Sequence, residues 1–489
     1  MALVAGVDSS TQSCKVEIRD AESAAVLGSG SAPHPRTSPP VSEQDPNTWW
    51  TALRIALCEA IADARVHATE IKAISVAAQC HGLVLMGPGG IVLRPVKLWN
   101  DLTSALQAEA MVAEMGSQFW ASATGSVPTA AFTITKLAWV AEHEPDLMKI
   151  ATGVCLPHDW LTWKLCGRLV TDRSEASGTA YYSAPEARYR WDILQRFAGV
   201  EEGSLLLPEV LGPDEVAGVI TADAAAELGL AGDVLVGPGA GDQHAAALAM
   251  GIGPGDVVFS LGTSGVVMTP SEQSIHDASG LVNGVCDATG RYLPLICTLN
   301  ATKVVDWFRD LLGVGFEEFD RLVLSVPPED STLTLAAFFD GERTPSLPHA
   351  VGILAGLTPE TSRAQIARAG VEGVVLGLME GLGAFARCGA ATDGLVVAAG
   401  GGAASAAFRQ LIADHLGKPV HVLEAPGATV RGACLQAATI LAGASIDTMR
   451  EAWRPPVAIT TEPRNVNLDS QHRAYQELAS YRGMDRPVT

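Results

Sequence analysis

The sequence predicts an α/β protein built as two related halves, and three observations carry that expectation. The chain has 489 residues, more than one ordinary core organises, so two domains of roughly 200 to 250 residues are expected. Hairpin-like β segments open the chain and strand–loop–helix units dominate later, the pattern of α/β layers. A hairpin phrase near the N-terminus also returns about half a chain later. Placing Ser10-Thr-Gln-Ser13 on Gly262-Thr-Ser-Gly265, a shift of 252 residues, aligns Val4–Val7 with Asp256–Phe259 and Cys14–Val16 with Val266–Met268. Two facing domains that each open on a hydroxyl-rich turn would give this repeat. The expected division is 1–250 and 251–489.

Val4–Val7 and Cys14–Ile18 read as a hairpin, the second strand alternating Val16 and Ile18 with Lys15, Glu17 and Arg19. Ala25–Gly28 adds a third short strand. Pro33–Pro46 is a proline-rich loop, and Asn47-Thr-Trp-Trp50 starts an amphipathic helix reaching about Val66. Ile71–Ala77 is a buried strand ending in Gln79-Cys-His-Gly82, and Ile91–Leu98 is another ending in Trp99-Asn-Asp101. Helical segments follow at Leu102–Met115, Thr133–Glu142 and Trp160–Leu165. Val234–Val236 leads into Gly237-Pro-Gly-Ala-Gly-Asp242, then a short helix, His244–Met250, and a glycine-rich joint, Gly251–Gly255. The second half opens on the strand Val257–Ser260. Near its end come the strand Leu395–Ala399, the loop Gly400-Gly-Gly402 and the helix Ala403–Leu416. The strand Val420–Leu423, the helix Ala428–Ala442 and a short helix near Gln471–Ser480 close the chain.

Composition narrows the partners. With a net charge of −21 and a pI near 4.9, the surface does not suit nucleic acid or an anionic membrane. An anionic ligand must then be held by local amides, hydroxyls or a metal. The nine cysteines contain no C-x-x-C pair, which reads as reduced thiols in a cytoplasmic protein. No signal peptide is evident at the N-terminus.

Two hairpin turns of Gly, Ser and Thr offer the amides and hydroxyls that cradle phosphate oxygens, with Lys15 adding a cation. A Walker A phrase and a clean G-x-G-x-x-G are both missing, which removes the main support for a P-loop ATPase or a Rossmann dehydrogenase. Gly400-Gly-Gly402 sits where a strand turns into a helix, so a nucleotide could approach the backbone and the helix N-terminus; tight strand–helix packing is the plainer alternative. Asp242 ends a glycine-rich run before a helix, suiting either a general base or an N-cap. Gln79, His81, Trp99, Asn100 and Asp101 stand at strand ends of the same half, where ligands gather in α/β sheets. Glu342-Arg343 reads as a salt-bridged loop.

These phrases, in this order, resemble the FGGY family of sugar kinases over nearly the whole chain. Ser42–Trp50, Gln79–Gly82, Leu98–Asp101, Ser260–Gly265 and Asp340–Pro345 stand nearest its xylulokinase branch. The resemblance implies two ribonuclease-H-like domains, related to actin and Hsp70 ATPases, around a central cleft. It implies Asp8 facing Mg2+, with Thr11, Lys15, Gly262 and Thr263 near the phosphates of ATP and Gly401 and Gly402 near the adenosine. It makes Asp242 the catalytic base and puts Gln79, Cys80, His81, Trp99, Asp101 and Gln243 on the sugar side. Two departures touch that side: Gln243 where xylulokinases commonly carry Asn, and Cys80 where Met or Gln is common. The implied reaction is phosphorylation of the 5-hydroxyl of D-xylulose in pentose catabolism. Rivals are family kinases for glycerol, ribulose, xylitol or arabinitol and, from another class, an actin- or Hsp70-like ATP switch. The expected partners are a small sugar and ATP, with neither nucleic acid nor membrane; a homodimer is left open.

Overall fold

The computed structural model describes residues 2–343, 347 and 349–481. The opening hairpin is β1 (Leu3–Ser9) against β2 (Ser13–Asp20), extended by β3 (Val26–Pro33). β4 (Ile71–Ala78) runs parallel to β1, and β5 (Gly218–Val219), β6 (Leu235–Val236) and β7 (Ala240–Gly241) complete this sheet. Its order is β5-β6-β4-β1-β2-β3, with β7 also pairing β4. The second sheet holds β8 (Val257–Leu261), β9 (Gly265–Met268), β10 (Leu295–Thr298), β11 (Val396–Ala399), β12 (Val420–Leu423) and β13 (Val457–Thr461). Its order is β10-β9-β8-β11-β12-β13.

The two sheets share one pairing pattern. Three antiparallel strands are followed by two parallel ones, and an antiparallel strand closes the edge. The repeat seen in the sequence is therefore structural, with β1 matching β8. Its second strand slips by one residue, however. Ser9 pairs with Cys14 across residues 10–13, whereas Leu261 pairs with Gly265 across 262–264. Gly265, and not Val266, stands where Cys14 does, because the second turn is one residue shorter.

Helices cover both faces of the first sheet. α1 (Pro46–Ala64) is capped by the Asp45 side chain and starts on Pro46, whose missing N–H costs nothing at that position. Leu3, Ala5 and Val7 share a buried apolar cluster with it. On the opposite face Val4 joins a cluster with helices from both halves, as the two-residue period of a strand requires. These are α2 (Asp242–Met250) and, beyond α3 (Arg363–Arg387) and α4 (Ala406–Leu416), α5 (Ala428–Ala442). The crossing is close enough to demand glycine. A Cβ on Gly6 would lie 2.5 Å from the Val430 carbonyl, and one on Gly432 would lie 2.0 Å from the Ala245 carbonyl.

Two expected elements change. Of the strand expected over Ile91–Leu98, Val96–Lys97 pairs with Glu43–Gln44 and Val92 makes an isolated bridge to Met86; the Pro95 ring interrupts a continuous ladder. The helix expected from Ala403 begins as a 3-10 turn, Gly401–Ala404, with Ser405 as the N-cap of α4. α3 was not anticipated, although Ser362 and Gln365 form the capping box that opens it. It is long and apolar enough to cross a membrane, but 72% of its apolar window is buried inside the fold. There it forms the spine of the second half's core.

Candidate active site

β4 is flanked by β1 on one side and β7 on the other. Asp8 pairs with Ala77 and Gly241 with Ala78, so Asp8 and Asp242 flank the end of one strand. Gln79-Cys-His81 leave that same end. A parallel ladder thus brings together residues more than two hundred positions apart.

Asp8 is 8% exposed, accepts a short hydrogen bond from Ser10 Oγ, and pairs with Lys15 across the hairpin. Burial raises its carboxyl above the ordinary range, while Ser10 and Lys15 pull it down. Asp242 is the first residue of α2, with Gly241 at the N-cap position, so this aspartate is not spent on capping. Its Oδ1 accepts from the Gln243 amide at 2.7 Å and faces the Cys80 thiol at 3.6 Å. Burial, and then the charge of Asp8, push its carboxyl up to about 7. A base of that pKa is matched to proton transfer near neutral pH.

His81 is held in a left-handed conformation, φ 65°. Its Nδ1 lies 2.7 Å from the Gly178 carbonyl, which can only accept, so Nδ1 carries the proton and Nε2 is an acceptor. Burial and the nearby Lys136 push the ring down to about 3, keeping it neutral. A Cβ on Gly178 would come within 2.8 Å of the ring. Trp99 Nε1 donates to Thr11 Oγ1 at 2.9 Å, tying the loop after the short strand Val96–Lys97 to the first turn. Gln79 is buried and reaches Gln44, whose amide bonds the Thr11 carbonyl at 3.1 Å. Asp101 is fully buried, accepting from the Ser42 amide at 2.8 Å and the Thr103 amide at 3.1 Å. It braces the loop that carries Trp99. Gln243 is half-buried beside Asp242, and Lys15 is exposed.

In the second half, the carbonyls of Gly262 and Thr263 accept from the amides of Thr302 and Ala301 at 3.0 and 3.3 Å, leaving Thr263 exposed. A Cβ on Gly402 would lie 2.7 Å from Leu261 Cβ, whereas one on Gly401 would meet nothing within 4 Å. Gly402 thus serves packing, and Gly401 is the open position. The N-terminus of α4 is taken: Asp320 accepts from the Ala406 amide and the Ser405 hydroxyl, both at 2.7 Å. The sequence had suggested a nucleotide site at that helix end; the open backbone lies one turn earlier.

Comparison with known proteins settles the family. The profile of the FGGY family of carbohydrate kinases, N-terminal domain, matches residues 3–249, and that of its C-terminal domain matches 257–441. The chain belongs to the FGGY family of carbohydrate kinases. A xylulose kinase of Streptomyces rubiginosus is 41% identical to this FGGY kinase over 471 residues, 96% of this chain and 94% of that one. One from Streptomyces coelicolor is 41% identical over 452 residues, 92% of this chain and 90% of that one. The crystal structure of xylulose kinase from Bifidobacterium adolescentis superposes with a TM-score of 0.86 at 37% identity, covering 98% of this chain and 99% of that one. The matched fold is the ribonuclease-H-like fold shared with actin and Hsp70, repeated in each half. As a carbohydrate kinase, the protein transfers a phosphoryl group from ATP to a sugar and works with a divalent metal.

Two neighbours of this FGGY kinase's site, Lys136 and Glu175, were not singled out in the sequence, and a third, Arg343, was read there only as part of a salt-bridged loop. Arg343, from the second half, places its guanidinium 5.5 Å from the Trp99 ring centre, beside Cys297 of β10. Its neighbour Glu342 accepts from the Leu299 amide at 2.6 Å and Asn300 Nδ2 at 2.9 Å. Thr344 and Pro345 of that phrase lie outside the described residues. Lys136 is fully buried, with Nζ donating to the carbonyls of Ala130 and Ala131 and its pKa pushed down by burial to about 7. A lysine inside the apolar helix Thr133–His143 was the legible signal. Glu175, buried beside Cys80, had no local signal, because only the fold brings it there.

Proposed function

We propose that this FGGY kinase phosphorylates the 5-hydroxyl of D-xylulose with Mg-ATP, yielding D-xylulose 5-phosphate and ADP for pentose catabolism in the cytoplasm. The observation that carries the reaction is the pairing of Asp8 and Asp242 around the end of β4, beside a neutral histidine. The choice of sugar rests on similarity to the xylulose kinases, 41% identical over more than nine-tenths of the chain. Residues 1–250 supply the sugar side and residues 251–489 the nucleotide side.

Asp242, as carboxylate, takes the proton of the attacking hydroxyl. His81 Nε2 accepts from a second sugar hydroxyl, and Trp99 gives one apolar wall, with Cys80, Gln79 and Gln243 completing the pocket. Asp101 holds the Trp99 loop in place. Thr11, Lys15, Gly262 and Thr263 meet the phosphates, and the open backbone at Gly401, backed by Gly402, meets the adenosine. Asp8, with the Ser10 hydroxyl against it, is an all-oxygen donor set of the kind Mg2+ selects. Bound there, the ion neutralises charge on the phosphate oxygens.

ADP release measured on D-xylulose, D-ribulose, glycerol, xylitol and D-arabinitol tests the reading. D-xylulose is expected to give the highest kcat/KM. A preference for glycerol overturns the sugar, and ATP hydrolysis indifferent to every sugar overturns the kinase mechanism in favour of a switch. Arg343→Ala is expected to raise the sugar KM roughly 3- to 30-fold, the span of a cation–π contact, with kcat little changed in the same assay.

A further inference from the structure

Behind Asp242, Cys80 of the sugar pocket meets two buried side chains that the phosphoryl transfer does not use. Cys80 follows β4, Glu175 sits in the short helix Arg173–Ser177, and His244 stands in the first turn of α2. One ligand atom from each lies within 4.8 Å of the other two. Glu175 is 1% exposed and His244 4%. Neither ring nitrogen of His244 has a hydrogen-bond partner among the described residues, and the Glu175 carboxyl meets the Cys80 thiol.

The neighbouring acids differ. Asp172 accepts from the amides of Ser174 and Glu175 at 3.0 and 3.1 Å, and Asp159 accepts from Leu156 at 2.7 Å, so both cap helices. Glu175 faces Asp172, Asp159, Asp242 and the Cys80 thiol, and the nearby His158, whose Nδ1 lies 4.0 Å from Glu175 Oε2, is pushed down by burial to about 3 and stays neutral. A buried carboxylate so placed stays protonated or takes a cation. The donors also share a focus. A Cβ on Gly241 would lie 2.6 Å from Glu175 Oε1, 2.6 Å from His244 Nδ1 and 2.7 Å from Cys80 Sγ. Residue 241 must therefore be glycine for these three donor atoms to converge on it.

We propose that Cys80, Glu175 and His244 form a three-ligand site for a thiophilic divalent ion such as Zn2+, set directly behind the catalytic base. Sulfur and imidazole donors select Zn2+ over Mg2+, so the site is separate in chemistry from the Asp8 position. Binding replaces the thiol proton: Cys80–SH and Zn2+ give a zinc thiolate and a proton released to solvent. Asp242 Oδ1 then loses the thiol that faces it and gains a nearby positive charge, both of which alter the base. Zn2+ is therefore an inhibitor of the kinase. This inhibition rests on Asp242 being the base; the metal site itself does not.

Titration of the full chain with Co2+, followed by the thiolate-to-cobalt absorption and reversed by Zn2+, tests the site without any turnover. One ion per chain is expected, with the band abolished in Cys80→Ser. In Glu175→Gln and His244→Ala the affinity is expected to fall by at least about tenfold, each variant being checked for native circular dichroism. No thiolate band, or a band indifferent to both Glu175→Gln and His244→Ala, overturns the site. In a parallel Mg-ATP assay, the ratio of Zn2+-inhibited to uninhibited rate is expected to rise towards one in His244→Ala. A cobalt band without any effect of Zn2+ on turnover keeps the site and overturns the placement of Asp242 as base.

Discussion

Asp242→Asn is expected to lower kcat roughly 100- to 10,000-fold, the contribution of a positioned general base, with the native circular dichroism spectrum retained. The amide keeps the size of the carboxylate and can still accept from the Gln243 amide, but it cannot take a proton. Near-normal turnover would remove Asp242 from the mechanism. The pH profile gives a second reading. Burial and Asp8 hold the Asp242 carboxyl at about 7, so kcat/KM of the wild type should fall below about pH 7 as the base protonates. The variant should also gain stability in the absence of ligand. An acid whose folded pKa lies above its unfolded value loses stability as pH rises from the unfolded pKa through the folded one. For Asp242 that window runs from its ordinary value of 3.8 to about 7. Asp242→Asn should therefore melt higher than the wild type at pH 8, and the difference should shrink towards pH 4. A mutation that removes activity and raises the melting temperature separates a strained functional acid from a structural one.

Asp8→Ala is expected to depress kcat/KM by on the order of 1,000-fold and to raise the Mg2+ concentration needed for half-maximal rate, whereas Ser260→Ala changes either by less than about threefold. The two positions are equivalent in the two sheets, Asp8 opposite Ala77 and Ser260 opposite Ala399 on the neighbouring parallel strand. Only the first carries a carboxylate. Equal effects in a magnesium titration of the two variants would deny Asp8 its metal.

Much of this was legible in the chain itself. The strands β1, β4, β8 and β11 announce themselves as short apolar runs ending in small or polar residues, and the hairpin repeat exposes the duplication. What the repeat could not reveal was the one-residue slip at Gly265, because turn length leaves no trace when both turns are short runs of small polar residues. The site divides along the same line. Asp8, Asp242 and His81 stand at strand ends, where the local pattern points to them. Glu175 and Arg343 reach the site only through contacts across more than forty residues, which no local window contains. The α4 terminus misled for the opposite reason: a glycine loop before a helix invites a nucleotide, and the competing cap, Asp320, comes from a distant helix.

The return of α5 to the first sheet has a mechanical consequence. The chain leaves the first half through α2 and comes back through α5, and these two helices touch where Gly432 meets the Ala245 carbonyl. The boundary near residue 250 is thus a division of sequence and not of packing. Val4, Ala73 and Ala77 keep their cover only while residues 428–442 are present. The first sheet is thus clamped by two separate passes of the chain, and the missing methyl at residue 432 sets how closely those passes fit.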